Sequence, residues 1–345
     1  MPEMPANGIV LLAKQSGLTS FSSLFSVKHA LKTKKVGHTG TLDSFAEGLL
    51  VVCVGNATHL VKYITEFDKE YEAVIKFGEE TDTLELTGNI VRTADLPTFA
   101  AFKTAVEKWT GENEQIPPSF SAIHVDGKRL SDLAREGRSV EIPARKITVY
   151  KSEIVECRNE SGILCTENDD KVLYAHVKFT VSKGTYIRSL ARDIALDCAS
   201  CAHLVALRRT RVGNFSLEKA AGAQYLVPFG IDSVLSNRQP VVDEQLFQEQ
   251  IKDSVLEIDE ETAILCGFKI VHLKEEYIQD FRNGKKLAVA MFESFSDFHG
   301  VLSESLCAVF CRDMFCGLVS FCAGKFSYCF VVPGQTGGAQ TGGAK

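Results

Sequence analysis

A single carboxylate, Asp43, sits among glycines, hydroxyls and a histidine in the stretch GHTGTLDSFAEGLLVVCVGNAT, Gly37 to Thr58. Glycine accepts backbone angles and close approaches that other residues resist, so Gly37 and Gly40 point to a tight turn. Leu49 to Val54 is a short apolar run that reads as a buried strand. His38 to Asp43 is therefore expected to be an exposed loop on a rigid base, displaying one acid. Loops of that kind carry function more often than filler. Asp43 has no second carboxylate or histidine at metal-ligand spacing, and HExxH, GxSxG, P-loop and GxGxxG segments are absent. Zinc hydrolysis, serine hydrolysis, phosphoryl transfer and dinucleotide chemistry thereby lose their usual signatures. What remains is a lone acid acting directly, as nucleophile or charge stabiliser, or a carboxylate capping the turn that follows it.

The elements that would position this acid can be read on both sides of it. GIVLLAK (Gly8 to Lys14) reads as a first strand, and Thr19 or Ser20 could cap an amphipathic helix after it. In KEYEAVIKF, Tyr71, Ala73, Ile75 and Phe77 alternate with Glu72, Val74 and Lys76, an imperfect strand period. FAAFKTAVEKWTG fits a helix ended by Gly111, and LYAHVKFTVSKGTYIRSLARDIALDCA reads as strand, glycine turn and helix. Strands and helices mix without a regular βαβ alternation, which favours an α+β fold. Pro228 to Pro240 reads as a linker, residues 241–333 as a small β-rich module, and GQTGGAQTGGAK (334–345) as a disordered tail.

Composition is that of an ordinary globular protein, 45% hydrophobic and 24% charged over 345 residues. No apolar run is long enough to span a bilayer, and the N-terminus lacks the pattern of a signal peptide, so a cytoplasmic protein is expected. Eleven cysteines include one CxxC, Cys198 to Cys201, without a second pair, and read as reduced thiols rather than a metal site. The net charge of −6 is uneven: residues 1–240 carry 29 acids and 29 bases, residues 241–333 carry 15 and 8. Inside the neutral part, 124–151 holds seven Lys/Arg against four acids and 183–219 seven against three, clusters that can form an electrostatic footprint for nucleic acid.

The loop sequence resembles the active-site motif of the TruB family of pseudouridine synthases. The resemblance continues in order through most of residues 8–220. It includes KEYEA, GEETDT, IPPSFSAIHVDGKRLSDLAREGRSVEIPARKITVY, VSKGTYIRSLARDI and HLVALRRTRVGNFSL. Ala13, Gln15 and Ser44 depart from it, standing in LLAKQSG and LDSFAEG where the family usually shows aspartate, proline and proline. The resemblance implies a pseudouridine-synthase fold: a central mixed, mainly antiparallel sheet flanked by helices, plus a small β-rich, PUA-like C-terminal module. It divides the chain into a catalytic domain (1–240) with an RNA-gripping thumb near 124–150, the module (241–333) and the tail (334–345).

The implied activity is isomerisation of uridine-55 in the T-loop of tRNA. The base is flipped out, detached from the sugar at N1, turned, and rejoined through C5. Nothing is oxidised, reduced or hydrolysed overall, so neither cofactor nor metal is implied. Asp43 would act at the sugar, by bonding to it, by bonding to the base, or by taking a sugar proton. Tyr71 would stack on the base, and Arg188 would pair with and aim Asp43. Leu207 would wall the pocket and keep water from the detached base. His38 would wedge into the RNA fold, while Lys14, Tyr186, Lys128 and Arg129 complete the residues expected to meet substrate, Lys14 being also a candidate brace of the active-site strand, with Arg135 and Arg145 as further phosphate partners. Arg208, Arg209 and Arg211 read as phosphate contacts or surface charges. The expected partner is the T-arm of tRNA, with no membrane and no obligatory protein partner, for a stand-alone monomer. A rival reading is a tRNA-binding or folding module with little catalysis.

Overall fold

The computed structural model describes residues 7–121, 123–125, 127–136, 140–236, 241–293 and 305–333, with the backbone alone at 124, 125, 128, 129 and 134. In the N-terminal half, strand β1 (Gly8–Lys14) leads to helix α1 (Ser20–Ala30), β2 (Val36–His38), β3 (Glu47–Val54) and α2 (Val61–Ile64). Strands β4 (Lys69–Phe77), β5 (Glu79–Thr81) and β6 (Ile90–Thr93) precede α3 (Phe99–Trp109) and β7 (Gly111–Gln115). A short hairpin of β8 (His124–Val125) and β9 (Lys128–Arg129) runs into α4 (Leu130–Arg135). Then come β10 (Arg145–Arg158), β11 (Tyr174–Val181), α5 (Ile187–Asp197), β12 (Ala202–Val212), β13 (Phe215–Ser216) and α6 (Ile231–Leu235). The chain continues through α7 (Glu244–Asp253), β14 (Val255–Leu256), α8 (Glu260–Leu265), β15 (Lys269–His272) and α9 (Ile278–Arg282). It ends in β16 (Ser305–Cys311), β17 (Met314–Cys322) and β18 (Lys325–Val331).

Among the described residues, one sheet runs in the order β14-β1-β3-β12-β4-β11-β10-β7, with β2 on β3 and β13 on β12. Only the β3–β12 contact is parallel; the other neighbours in this sheet are antiparallel. The fold is α+β, as expected. Leu49 to Val54 is fully buried in β3, because β1 and β12 flank it and side chains on both of its faces enter separate apolar clusters. α1 is capped by Thr19, whose hydroxyl accepts the Ser22 amide at 3.0 Å, and α3 by Thr98 in the same way.

The second sheet, β15-β16-β17-β18, is the small C-terminal β structure. Its Ala308, Phe310 and Leu318 share an apolar cluster with Ile9, Val51 and Phe215 of the large sheet. α7 and β14 follow residue 240 yet belong with the large sheet: β14 pairs with β1, and Phe247 and Ile251 of α7 pack with Leu24 and Val27 of α1. The segment read as a linker from Pro228 contains α6. Its Ile231 is completely buried against Val74 and Val205, and Asp232 pairs with Arg158 at 2.7 Å. Ile231 in its pocket and the Asp232–Arg158 pair hold it in place, through partners that the local composition does not announce.

Candidate active site

Asp43 lies in the connection from β2 to β3. The turn after it is closed by backbone, the Ala46 amide donating to the Asp43 carbonyl at 3.2 Å, so the carboxylate is not required as its cap. Before it, the Ser20 hydroxyl at the start of α1 accepts the Leu42 amide at 2.8 Å and donates to the Leu42 carbonyl at 3.0 Å. After it, the Gly17 amide donates to the Ser44 carbonyl at 2.8 Å. The loop is thus held firmly, though less exposed than expected, with Thr39 and Leu42 buried. Neither Gly37 nor Gly40 has a positive φ. A side chain at Gly40 would begin 3.4 Å from an Arg209 guanidinium nitrogen, so close approach rather than unusual angles is what this glycine supplies.

Arg188 reaches Asp43 from the first turn of α5, across 145 residues of sequence. Its Nη2 donates to Asp43 Oδ1 at 2.9 Å and to the Phe120 carbonyl at 2.9 Å, while Nη1 donates to the Thr83 carbonyl at 2.9 Å. The arginine side chain is 4% exposed and the aspartate 33%, so the cation is fixed in the wall and the acid is presented to the space in front of it. A planar guanidinium suits such multiple anchoring. The start of α5 is itself clamped by buried Gln115, whose side chain accepts the Tyr186 amide at 2.8 Å and donates to the Tyr186 carbonyl at 3.1 Å.

Asp43, Tyr71, Tyr186, Arg188 and Leu207 line one cavity of about 320 Å³, together with Ile187, Lys69 and Arg209. That volume is in the range of small-ligand sites. Burial, first among the causes, pushes the Tyr186 phenol above its ordinary range. Five of the expected residues therefore converge. Lys14 does not join them: it is 1% exposed, and its ammonium donates to the carbonyls of Ala46 (2.5 Å), Gln15 (3.0 Å) and Ser44 (3.4 Å) beneath the loop. Of the two expectations for Lys14, substrate contact and bracing, the geometry fits bracing, because its donors are spent on loop carbonyls. Burial lowers its pKa to about 8, against the smaller opposing pull of Asp43 and Glu47. His38, half-buried on β2, lies beside the loop, its Nδ1 3.4 Å from the Gly40 amide; burial and then Arg209 lower its pKa. The side chains of Lys128 and Arg129 lie outside the described residues. Arg135 is exposed and pairs with Asp132 at 3.1 Å, and Arg145 is exposed.

Of the three arginines of β12 read as phosphate contacts or surface charges, Arg208 and Arg209 are instead interior, while Arg211 stays at the surface. Arg209 is 1% exposed and donates to the carbonyls of Leu49 (2.8 Å) and Gly40 (3.1 Å). Arg208 is buried on Glu47, donates to the Val227 carbonyl at 2.7 Å and lies 4.9 Å above the Phe229 ring. Arg211 pairs with Glu70 at 3.1 Å. A central strand buries even its cations, provided they find acceptors. Lys69 was missed, although it stands two residues before Tyr71, and strand periodicity puts such residues on one face. Its ammonium donates to the carbonyls of Thr65 (2.6 Å) and Phe67 (2.5 Å), and burial lowers its pKa to about 8. Glu85 was also missed. Burial raises its pKa, with the field of Asp43 acting in the same direction and that of Arg188 opposing both. Nothing local in the sequence marks Glu85, since only the fold brings it near the pair.

Residues 28–187 match the family described as TruB family pseudouridylate synthase (N terminal domain). A tRNA pseudouridine synthase B of Treponema denticola is 41% identical over 92% of this chain and 96% of its own length. The tRNA pseudouridine synthase B of Treponema pallidum is 35% identical over 93% of this chain and 96% of its own. Among solved structures, a chain from a Cbf5-Nop10-Gar1 complex superposes with a TM-score of 0.62 at 22% identity. It covers 94% of this chain and 85% of that one, a likeness of fold. With relatives matched nearly end to end, the chain belongs to the TruB family of pseudouridylate synthases.

Proposed function

We propose that this protein isomerises uridine to pseudouridine in the T-loop of tRNA, at position 55, with Asp43 as the catalytic carboxylate. The observation that carries this reading is the Asp43–Arg188 pair: a partly exposed acid at the wall of a cavity, held at 2.9 Å by a buried guanidinium. A module that only bound RNA would have no need to bury a cation in order to aim an acid.

A uridine in a folded loop must leave its stack before its sugar is accessible, at a cost of a few kcal/mol. Tyr71, on β4 and facing the cavity, offers a ring against which the flipped base packs, a contact worth roughly 1–3 kcal/mol. Asp43 then faces the ribose. The C–N bond at N1 breaks, the base turns, and a C–C bond forms at C5; the C5 proton goes to solvent and N1 ends up carrying one. Leu207 and Ile187 supply apolar wall, which keeps water from the separated base and sugar and so suppresses hydrolysis to an abasic site. His38, beside the loop, takes the wedge position against the RNA. The segment near 124–150, with Lys128, Arg129, Arg135 and Arg145, closes over phosphates, so affinity falls as salt rises. The protein acts as a stand-alone monomer in the cytoplasm; no helix among the described residues is long and apolar enough to cross a membrane.

Purified protein alone should release tritium from C5-labelled uridine in a T-arm RNA. Asp43→Asn should abolish release and leave RNA affinity within a few-fold of wild type. Equal release by the variant would remove Asp43 from the mechanism, and a wild-type protein that binds RNA without releasing tritium would restore the binding-module reading.

A further inference from the structure

Helix α1 exposes two aromatic rings that nothing in the reaction above uses. Phe21 and Phe25 are 73% and 72% exposed, while the opposite face of the same helix buries Leu24, Val27 and Ala30. The rings lie one turn apart on one stripe. Along it the Lys28 ammonium sits 5.0 Å from the centre of the Phe21 ring, and His29 stacks on Phe25 with centroids 6.5 Å apart. A soluble protein gains nothing by leaving two phenylalanines in water side by side.

Along its own stretch of chain this stripe has charge of one sign, the acids Glu244, Glu249 and Asp253 belonging to α7, which packs against α1 with Gln248 3.3 Å from His29. Between Glu3 and Asp43 the chain has no carboxylate at all, and four lysines, Lys28, Lys32, Lys34 and Lys35, fall within eight residues, in a protein whose net charge is −6. The stripe also starts at the active site. Ser20, one residue before Phe21, is the residue hydrogen-bonded in both directions to Leu42, the neighbour of Asp43.

We propose that the Phe21–Phe25–Lys28 face of α1 is an RNA-binding ridge, which receives the part of the substrate strand lying outside the nucleotide taken into the cavity. Bases or riboses pack on the two rings and phosphates meet Lys28 and the lysines after it, the combination of stacking surface and positive charge that single-stranded RNA requires. The inference rests on the reading of the protein as an RNA-modifying enzyme and extends its substrate contact beyond the cavity and the 124–150 segment.

The test uses the full chain, a T-arm RNA, and two variants at exposed positions where folding is not at stake: Phe21→Ser/Phe25→Ser and Lys28→Gln. The double variant should raise the Kd and KM for the RNA by about tenfold with kcat retained at saturation. Lys28→Gln should lower the slope of log affinity against log salt by about one. Wild-type affinity and slope in both variants would overturn the ridge while leaving the isomerase reading intact. Failure of the wild type to release tritium, with RNA affinity still dependent on Phe21 and Phe25, would overturn the isomerase and keep the ridge. A wild-type dimer in sedimentation that the double variant abolishes, at unchanged RNA affinity, would assign the face to a second copy and refute the proposal.

Discussion

Two buried cations hold the Asp43 loop from opposite sides. Lys14 donates to the carbonyls of Ser44 and Ala46 just after Asp43, and Arg209 to those of Gly40 and Leu49 on either side of it. A loop turned away from its sheet leaves carbonyls without strand partners, and a buried acceptor without a donor is costly. Long cationic side chains from β1 and β12 supply those donors. For Lys14 the consequence is a pH dependence. Its folded pKa, about 8, lies below the ordinary 10.5, so between these values the unfolded chain binds more protons than the folded one. Stability contributed by this group therefore increases as pH climbs through that window and is lost as pH falls back through about 8. Denaturant unfolding of wild type and Lys14→Met at pH 8 and pH 10 should show a smaller increase in the variant; equal increases would remove Lys14 as its source.

At the scale of elements, the parallel contact between β3 and β12 is what delivers Arg209 to the loop. It pairs Arg208 with Glu47 and Arg209 with Gly48, and it requires close backbone approach. Gly48 has φ +106, and a Cβ there would fall 2.4 Å from the Arg209 carbonyl oxygen and 2.8 Å from its nitrogen. Backbone cannot yield as a flexible side chain can. Gly48→Ala should therefore destabilise the protein by roughly 3 kcal/mol through strain and overlap, and tritium release should fall with it. A variant of wild-type stability and activity would show that the β3–β12 contact can open without cost. Gly48 drew no notice in the sequence, where it is simply the residue after Glu47. The strand β3 was legible because six consecutive apolar residues can hardly be anything else; its parallel partner, 161 residues later, was not.

Across the whole molecule, the small β15–β18 sheet and the large sheet share one apolar cluster, and α7 and β14 lock residues beyond 240 onto α1 and β1. The described parts should unfold together. Calorimetry is expected to give one cooperative transition, with van't Hoff and calorimetric enthalpies in agreement; two separated transitions would refute the shared core. By itself the sequence determined the α+β class, the buried strand behind the loop and a helix start at Thr19 or Ser20; the resemblance of ordered motifs spanning most of residues 8–220 added the family and five of the side chains that line the cavity. These are properties of local pattern, where residue type and spacing constrain the backbone directly. Only the tertiary structure decided which loop carbonyls Lys14 meets, that Arg208 and Arg209 are interior, that Lys69 lines the cavity and Glu85 lies in the field of Asp43, and that α6 is ordered. Each of those depends on which carbonyl, ring or charge a distant segment brings within a few ångströms, and no local pattern encodes that distance.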